Sequence, residues 1–428
     1  MALDPFEDMG IEEVPKEWKI KPLSELFEVQ HGISLTPKRR SKDANYPMLR
    51  TTNIYWGRIN IENVDHSWFS EKEIESLKPA YGDLFVCEGG DIGRTAIWKN
   101  ELGVVGFQNH LHRLRKKSEE VLPEFYAYWM QFAILLKGQY TNHGNKTTIP
   151  NLSQSSLKRF QVLFPPFEEQ LRISYILSEL QNALNIEEKT IELLNKVKRS
   201  LLRKLFSEGI EHQELIDTEI GLLPACWKIN LLGNVVRLTK KPREVDTQGL
   251  KVPFIAMKNL SDQKIEISGY EMKNTSDITS GVYCEKGDLI LSKITPSFEN
   301  GKAGILEEIP TKYAYATTEV YPLKVNDAEL NKYFLFYFLK RQDLRNELAG
   351  KMEGSTGRKR LPKDVLLKVH IPLPANPEQA EISNILRSVD YRIAIEEQRR
   401  YYHKKLFETM LSRLMSGELR VKNLVMRE

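Results

Sequence analysis

The chain repeats itself at the scale of a whole domain. EVPKEWKIKPL around Trp18 returns as LLPACWKINLL around Trp227, a displacement of 227 − 18 = 209 residues. YPMLRTTNI (46–54) returns as VPFIAMKNL (252–260), and YGDLFV (81–86) as KGDLIL (286–291). FQNHLHRLR (107–115) returns as ATTEVYPLK (316–324), LPEFYAYWM (122–130) loosely as ELNKYFLFYF (329–338), and FPPFEEQLRISYIL (164–177) as LPANPEQAEISNIL (373–386). These matches keep one order and nearly one displacement. The unit is too long for a solenoid repeat, so it reads as a duplication with pseudo-twofold symmetry. The stretches 30–80 and 236–285 match poorly while the helical ends match well. A common frame carrying different loops points to one task performed on two different targets.

A chain of 428 residues exceeds one ordinary domain. Its 41% hydrophobic and 28% charged content is that of a folded globular protein. A net charge of +4 permits nucleic-acid binding without demanding it, since clustering decides. Cys87, Cys226 and Cys284 form no CxxC pair. That pattern speaks against a disulfide framework or a structural zinc and fits a reducing cytoplasm. The opening MALDPFEDMG is acidic and has no apolar signal core. The apolar stretch Phe125 to Leu136 is too short for a bilayer, carries tyrosines, and reads as a buried helix. No membrane partner is expected.

Each copy ends in a long helical signature. The first follows Pro165 and Pro166, has Glu168 and Glu169 in its first turn, and carries apolar residues at Ile173, Ile176, Leu180, Leu184, Ile191, Leu194, Leu201 and Leu205. Gly209 supplies a stop. The second has Asn376 and Pro377 at its start, a stripe of Ile382, Ile385, Val389, Ile393, Tyr402, Leu406, Met410 and Leu414, and Gly417 after it. Each helix of about 40 residues would span roughly 60 Å. A stripe that long needs a partner, and the simplest is the other helix, packed as an antiparallel coiled coil. Such a pair is a stiff spacer. The alternative is that each helix packs on its own globular domain.

Between the helices, strand-like runs such as GDLFVCEGG, GRTAIWKN, KVPFIAMKNL and GDLILSKI alternate with glycine-rich turns. One aromatic-rich helix per copy is expected at 123–137 and 329–345. The fold class is α+β (mixed α/β), with two similar globular domains separated by the two long helices. The divisions are 1–167 for the first domain, 168–209 for the first helix, 210–376 for the second domain, and 377–428 for the second helix and tail.

Basic and amide-bearing loops are the candidate nucleic-acid contacts. Lys38, Arg39, Arg40 and Lys42 form one cluster; Asn142, His143, Asn145 and Lys146 form another. In the second copy, Ser355, Thr356, Arg358, Lys359 and Arg360 occupy the loop matching the latter, and Lys240, Lys241 and Arg243 answer the former. Arginine and lysine neutralise phosphates or take guanine O6 and N7; asparagine holds adenine N6 and N7. Thr51, Asn53, Lys258, Asn259 and Lys293 flank repeated strands and are secondary candidates. A single basic run is by itself a solvated face; the weight here comes from two such loops at matching places. Lys196, Lys198, Arg199, Arg203, Lys204, Lys404 and Lys405 read first as solvated helix charge.

No catalytic constellation stands out. FPPF (164–167) lacks the polar first residue of an amino-methyltransferase motif and sits at a helix start. NGKAG (300–304) lacks the phosphate-loop spacing, and the eight histidines show no metal-ligand spacing. His110 and His112 alternate on a strand and read as surface or core residues.

These features together resemble the specificity subunit of type I restriction-modification systems. The resemblance covers nearly the whole chain. It rests on the paired WKI openings at Trp18 and Trp227, the GDL turns at Asp83 and Asp288, the basic loops before PNLSQSSLKRFQVLFPPFEEQ and LPKDVLLKVHIPLPANPEQ, and the Glu169-Gln170 and Glu378-Gln379 helix starts. It implies two target recognition domains, each reading half of a split, asymmetric sequence in double-stranded DNA. It implies helices that set the unread spacer and dock two modification methyltransferase subunits. S-adenosylmethionine, ATP and magnesium would belong to partner subunits, restriction/translocase subunits could join, and this chain would bind no cofactor or metal and have no catalytic residues. The competing readings are a protein-only scaffold and a self-sufficient DNA methyltransferase or nuclease.

Overall fold

The computed structural model describes residues 11, 13–40, 43–139, 152–210, 214–243, 250–267, 269–355 and 357–422. The chain divides into two compact units, one of residues 1–187 with 399–428 and the other of 188–398. Each long helix, Phe167–Leu205 and Asn376–Met415, contributes one segment to each unit.

The first unit is built on a four-stranded antiparallel sheet in the order Phe27–His31, Leu111–Lys116, Leu84–Cys87, Thr95–Ile97. A second sheet sets Tyr46–Leu49 between Asp65–Ser67 and Gly106–Phe107, the latter pair parallel. The second unit repeats the plan. Its main sheet runs Val236–Leu238, Val320–Val325, Leu289–Ser292, Ala303–Ile305. Its second sheet pairs Lys251–Ile255 in parallel with Tyr313–Ala316. The registers correspond residue for residue. Leu84 faces Leu114 as Leu289 faces Leu323, Met48 faces Gly106 as Phe254 faces Tyr315, and Lys19 faces Phe164 as Lys228 faces Leu373.

The repeated motifs hold this frame through buried polar contacts. In each GDL turn the glycine has positive φ, +87° at Gly82 and +97° at Gly287, a conformation that glycine adopts without a steric penalty. The buried Asp83 and Asp288 then accept a backbone N–H from Ala80 and Glu285, each at 2.8 Å. The Glu-Gln helix starts act the same way. Gln170 accepts from Leu122 N (3.0 Å) and donates to Pro165 O (2.9 Å). Gln379 accepts from Asn331 N (2.8 Å) and donates to Pro374 O (2.9 Å). An amide supplies both donor and acceptor, so one side chain ties the helix start to its sheet.

Each helix segment joins the core of its own unit, as the alternative of helices packed on their globular domains anticipates. In the first unit Ile173, Leu177, Phe407, Leu411 and Leu414 join Trp18, Phe27, Leu114 and Tyr126 in one core. In the second, Leu205, Phe206, Ile382 and Leu386 join Trp227, Leu289, Leu323 and Phe334. Each fully buried apolar side chain contributes about 1.5–3 kcal/mol, so the helix segments are fastened to their lobes. Within the first unit the helix segments also meet at Glu187, whose buried carboxylate lies 2.7 Å from His403 Nδ1. Within the second, Lys198 pairs with Asp390 at 2.5 Å, both largely buried. Lys198 is therefore an internal ion pair rather than solvated helix charge.

The second helix corrects its expected stripe. Tyr402 (59%) and Leu406 (40%) are exposed, and Phe407 and Leu411 are buried in their place. The aliphatic gap is filled by polar groups: Glu396 is buried and pairs with Arg392, and His403 pairs with Glu187. The aromatic helix of the first unit runs Pro123–Met130 and continues as a π-helical stretch, Gln131–Leu136. Its counterpart is not one helix over 329–345 but two, Lys332–Lys340 and Gln342–Gly350, broken where Arg341 takes an extended backbone. The Arg341 guanidinium lies over Phe206 and Phe338 and pairs with Asp343, contacts within the unit that no local sequence signal announces. Among the described residues no helix is long and apolar enough to cross a membrane.

Candidate nucleic-acid interface

The ends of the main-sheet strands in each unit carry one backbone arrangement with different side chains. In the first unit, Glu88 N donates to His110 O (2.9 Å) and Glu88 O accepts from Leu152 N (2.8 Å). In the second, Lys293 N donates to Glu319 O (3.0 Å) and Lys293 O accepts from Leu361 N (2.8 Å). The leucines are also held from the strand. The carbonyl of Leu152 lies 3.0 Å from His112 Nε2, which must be the donor, and Tyr321 Oη donates to Leu361 O at 2.7 Å. Burial pushes the His112 imidazole below its usual pKa, keeping it neutral for that bond.

The side chains on this frame are polar and unlike. Glu88 Oε2 lies 3.4 Å from His31 Nε2 and 3.8 Å from His110 Nδ1. In the second unit Arg360 grips Glu319 with two hydrogen bonds, 2.8 and 2.7 Å. That pairing holds Glu319 below the ordinary carboxylate pKa and Arg360 above its own. Lys293 stands 4.9 Å from the Tyr321 ring, and burial lowers its pKa. Arg358 and Lys359, on the loop that leads into Arg360, are exposed. The loop turns at Gly354 and Gly357, with φ of +127° and +78°; at Gly354 a side chain would also collide with Arg358.

The sequence candidates divide accordingly. Lys293, Arg358, Lys359 and Arg360 gather at the second crown, with Ser355 on the same exposed loop. Lys240 and Lys241 are exposed beside it. Carrying the ladder of Arg237 with Lys324 and Leu238 with Leu323 two residues on sets Lys240 across from Tyr321, as His31 faces His112. Lys240 thus answers His31 rather than the 38–42 cluster. Arg39 is engaged inside its domain: its guanidinium donates to Glu73 (2.5 and 3.2 Å) and to Trp68 O (3.0 Å). Asn53 is buried, accepting from Arg50 N and donating to Asn60 O and Asn63 O. Asn259 likewise accepts from Ala256 N at 3.0 Å. Both amides brace a one-turn helix at the strand exit. Thr51 lends its carbonyl to Arg94, and Lys258 is exposed on the equivalent turn. Lys38 and Arg40 share the turn Pro37–Arg40 with Arg39. Lys42, Asn142, His143, Asn145, Lys146 and Thr356 lie outside the described residues.

The basic and amide-bearing clusters read from the sequence leave out His31, Glu88, His110 and Glu319: two are carboxylates, and the two histidines lie outside the lysine- and arginine-rich loops. The 209-residue displacement maps His31 onto Lys240, His110 onto Glu319 and His112 onto Tyr321, and the 205-residue displacement of the GDL turns maps Glu88 onto Lys293.

The family model for the type I restriction modification DNA specificity domain matches residues 15–196 and again 224–401. The type I restriction enzyme MjaVIII specificity subunit of Methanocaldococcus jannaschii is 25% identical over 429 residues, 98% of this chain and 97% of that one. The EcoEI specificity subunit of Escherichia coli is 27% identical over 201 residues, 46% of this chain and 34% of that one. Among solved structures, the S subunit of a type I restriction-modification system from M. genitalium superposes with a TM-score of 0.58 at 17% identity, covering 95% of this chain and 98% of that one. A chain from a structure of type I system assembly superposes with a TM-score of 0.55 at 16% identity, covering 95% and 100%. Two lobes of one plan, each ending its sheet in a polar crown, and a family match over both copies make one conclusion: the chain belongs to the type I restriction-modification DNA specificity family and is a specificity subunit.

Proposed function

We propose that each lobe reads one half of a bipartite, asymmetric sequence in double-stranded DNA, with the crown and its basic loop as the contact surface. The observation that carries this reading is the identical main-chain frame at 88/110/152 and 293/319/361 bearing unlike side chains. One frame with two side-chain sets is what reading two different half-sites requires. Lys240, Lys241, Lys258, Arg358 and Lys359 are suited to phosphates, together with Lys38, Arg40, Lys42, Asn142, Asn145, Lys146, Ser355 and Thr356 of the flanking loops.

In this reading 1–167 and 210–376 are the target recognition domains. The helices 168–209 and 377–428 pack as an antiparallel coiled coil and act as the spacer. The Glu187–His403 and Lys198–Asp390 pairs, one in each unit, support helix-to-helix packing. The helices also dock two modification methyltransferase subunits. Those bring S-adenosylmethionine and the methyl transfer; restriction subunits with ATP and magnesium join the same assembly. This chain supplies recognition and no catalytic group.

The test is binding and methylation of a randomised duplex pool by the chain assembled with its modification subunits. A two-part motif with a fixed gap is expected. Inserting four residues into both long helices, about 6 Å of rise each, should lengthen the preferred gap. An unchanged gap overturns the spacer role, and no enriched motif overturns the DNA reading.

A further inference from the structure

The position shared by Glu88 and Lys293 is occupied by opposite charges on one fixed backbone. Its N–H and its C=O are both bound to main chain, to His110 and Leu152 in one copy and to Glu319 and Leu361 in the other. The Cα is therefore held in place whatever side chain it carries. Both side chains sit recessed: Glu88 is 13% exposed, against 56% for neighbouring His110, and Lys293 is half-buried while Arg358, Lys359 and Arg360 of the adjoining loop are exposed. A recessed polar group suits base edges, while exposed basic residues such as those around Lys293 suit phosphates.

We propose that this position is a specificity-determining residue, with Glu88 accepting from an exocyclic amino group of cytosine or adenine in one half-site and Lys293 donating to guanine O6 or N7 in the other. The inference rests on the DNA reading above and names its chemistry. A bare carboxylate beside DNA is repelled by the phosphates. Glu88 is instead within hydrogen-bond distance of His31 Nε2 at 3.4 Å, with His110 Nδ1 nearby at 3.8 Å. In the second unit the neighbouring carboxylate, Glu319, is occupied by both arms of Arg360. Among the described residues the Lys293 ammonium makes no hydrogen bond, which leaves its three donors for a ligand. Glu319 and Arg360 balance each other, which leaves Lys293 as the recessed group at the second crown outside any ion pair.

The experiment uses the chain assembled with its modification subunits and reads base preference from a randomised duplex pool. Lys293→Glu should reduce the guanine preference at one position of one half-site by about tenfold or more, leaving the other half-site unchanged. Lys293→Arg should keep that guanine. Glu88→Lys should convert a single cytosine or adenine position in the other half-site towards guanine, which also identifies the base. Lys293→Met and Glu88→Gln keep the size of the side chain and test the same two positions if a charge reversal prevents folding. A motif unchanged in all variants, with the wild type still selecting a motif, overturns this assignment while leaving the DNA reading intact. A wild-type complex that selects no motif overturns the DNA reading itself.

Discussion

The indole Nε1–H of Trp18 donates to the Glu169 carboxylate at 2.8 Å, joining residues 151 positions apart in sequence. Trp227 and Glu378 form the same bond at 3.0 Å across the same separation. In the first unit Glu169 is also gripped by Arg420, at 2.7 and 2.8 Å. Burial alone would raise the Glu169 pKa, but the hydrogen bonds from Arg420 and Trp18 outweigh it and the net shift is downward. Removing one partner of a buried, charge-assisted pair strands the others. Glu169→Ala should cost about 2–4 kcal/mol and lower the melting temperature of the first unit by roughly 5–10 °C, measured by calorimetry.

The same carboxylate sets an acid limit. A group whose folded pKa is depressed stabilises the fold above its unfolded pKa, and that stability is lost as pH falls through the folded value. Wild type should therefore lose stability at pH values below the ordinary carboxylate range. Glu169→Gln should start lower and fall less steeply there. Melting curves from pH 6 down to about 3 check this; parallel curves for the two proteins would refute it.

Arg39 gives a contrast between an arginine engaged inside its domain and Arg358, an exposed arginine proposed to meet phosphate. Its two-armed hydrogen bond, with the Ser70 backbone N–H, draws the Glu73 pKa down from 4.5 to about 2. Arg39→Ala should lower stability by about 1 kcal/mol and expose the 37–73 region to faster hydrogen exchange. The salt dependence of DNA binding should not change. Arg358→Ala should do the reverse: stability within about 0.5 kcal/mol, and a slope of log affinity against log salt shallower by about one.

Tyr321→Phe removes the hydroxyl that donates to Leu361 O and leaves the ring over which Lys293 lies. The expected cost is about 1 kcal/mol of stability, with faster amide exchange of residues 353–361 than of the sheet itself. Equal protection of that loop in both proteins would show that the bond does not hold it.

The frame of this protein was open to sequence reasoning because duplication writes each structural necessity twice. The tryptophans, the GDL aspartates and the Glu-Gln helix starts recur since each performs one local hydrogen-bonding task that tolerates little else. The long helices were legible from periodicity. The stripe of the second helix was misplaced by one residue at Tyr402 and Leu406, because the true seam passes through His403 and Glu396, and a hydropathy pattern skips carboxylates buried against a basic partner. The break at Arg341 had no glycine or proline to announce it. The site was half legible. A search for bases found Lys293 and Arg360 but included Arg39, which Glu73 already occupies, and Asn53, whose amide is spent on its own turn. It passed over Glu88 and the histidines because a lone acid or histidine at a strand end has no compositional signature.

At residues 88 and 293 the crown is anchored through the main-chain N–H and C=O. What holds the strand ends together is thus indifferent to what those two residues carry. Exchange of the side chain there costs the fold little, so a lineage of such proteins can drift through new recognition chemistries without first surrendering stability, and each lobe can do so independently of its twin.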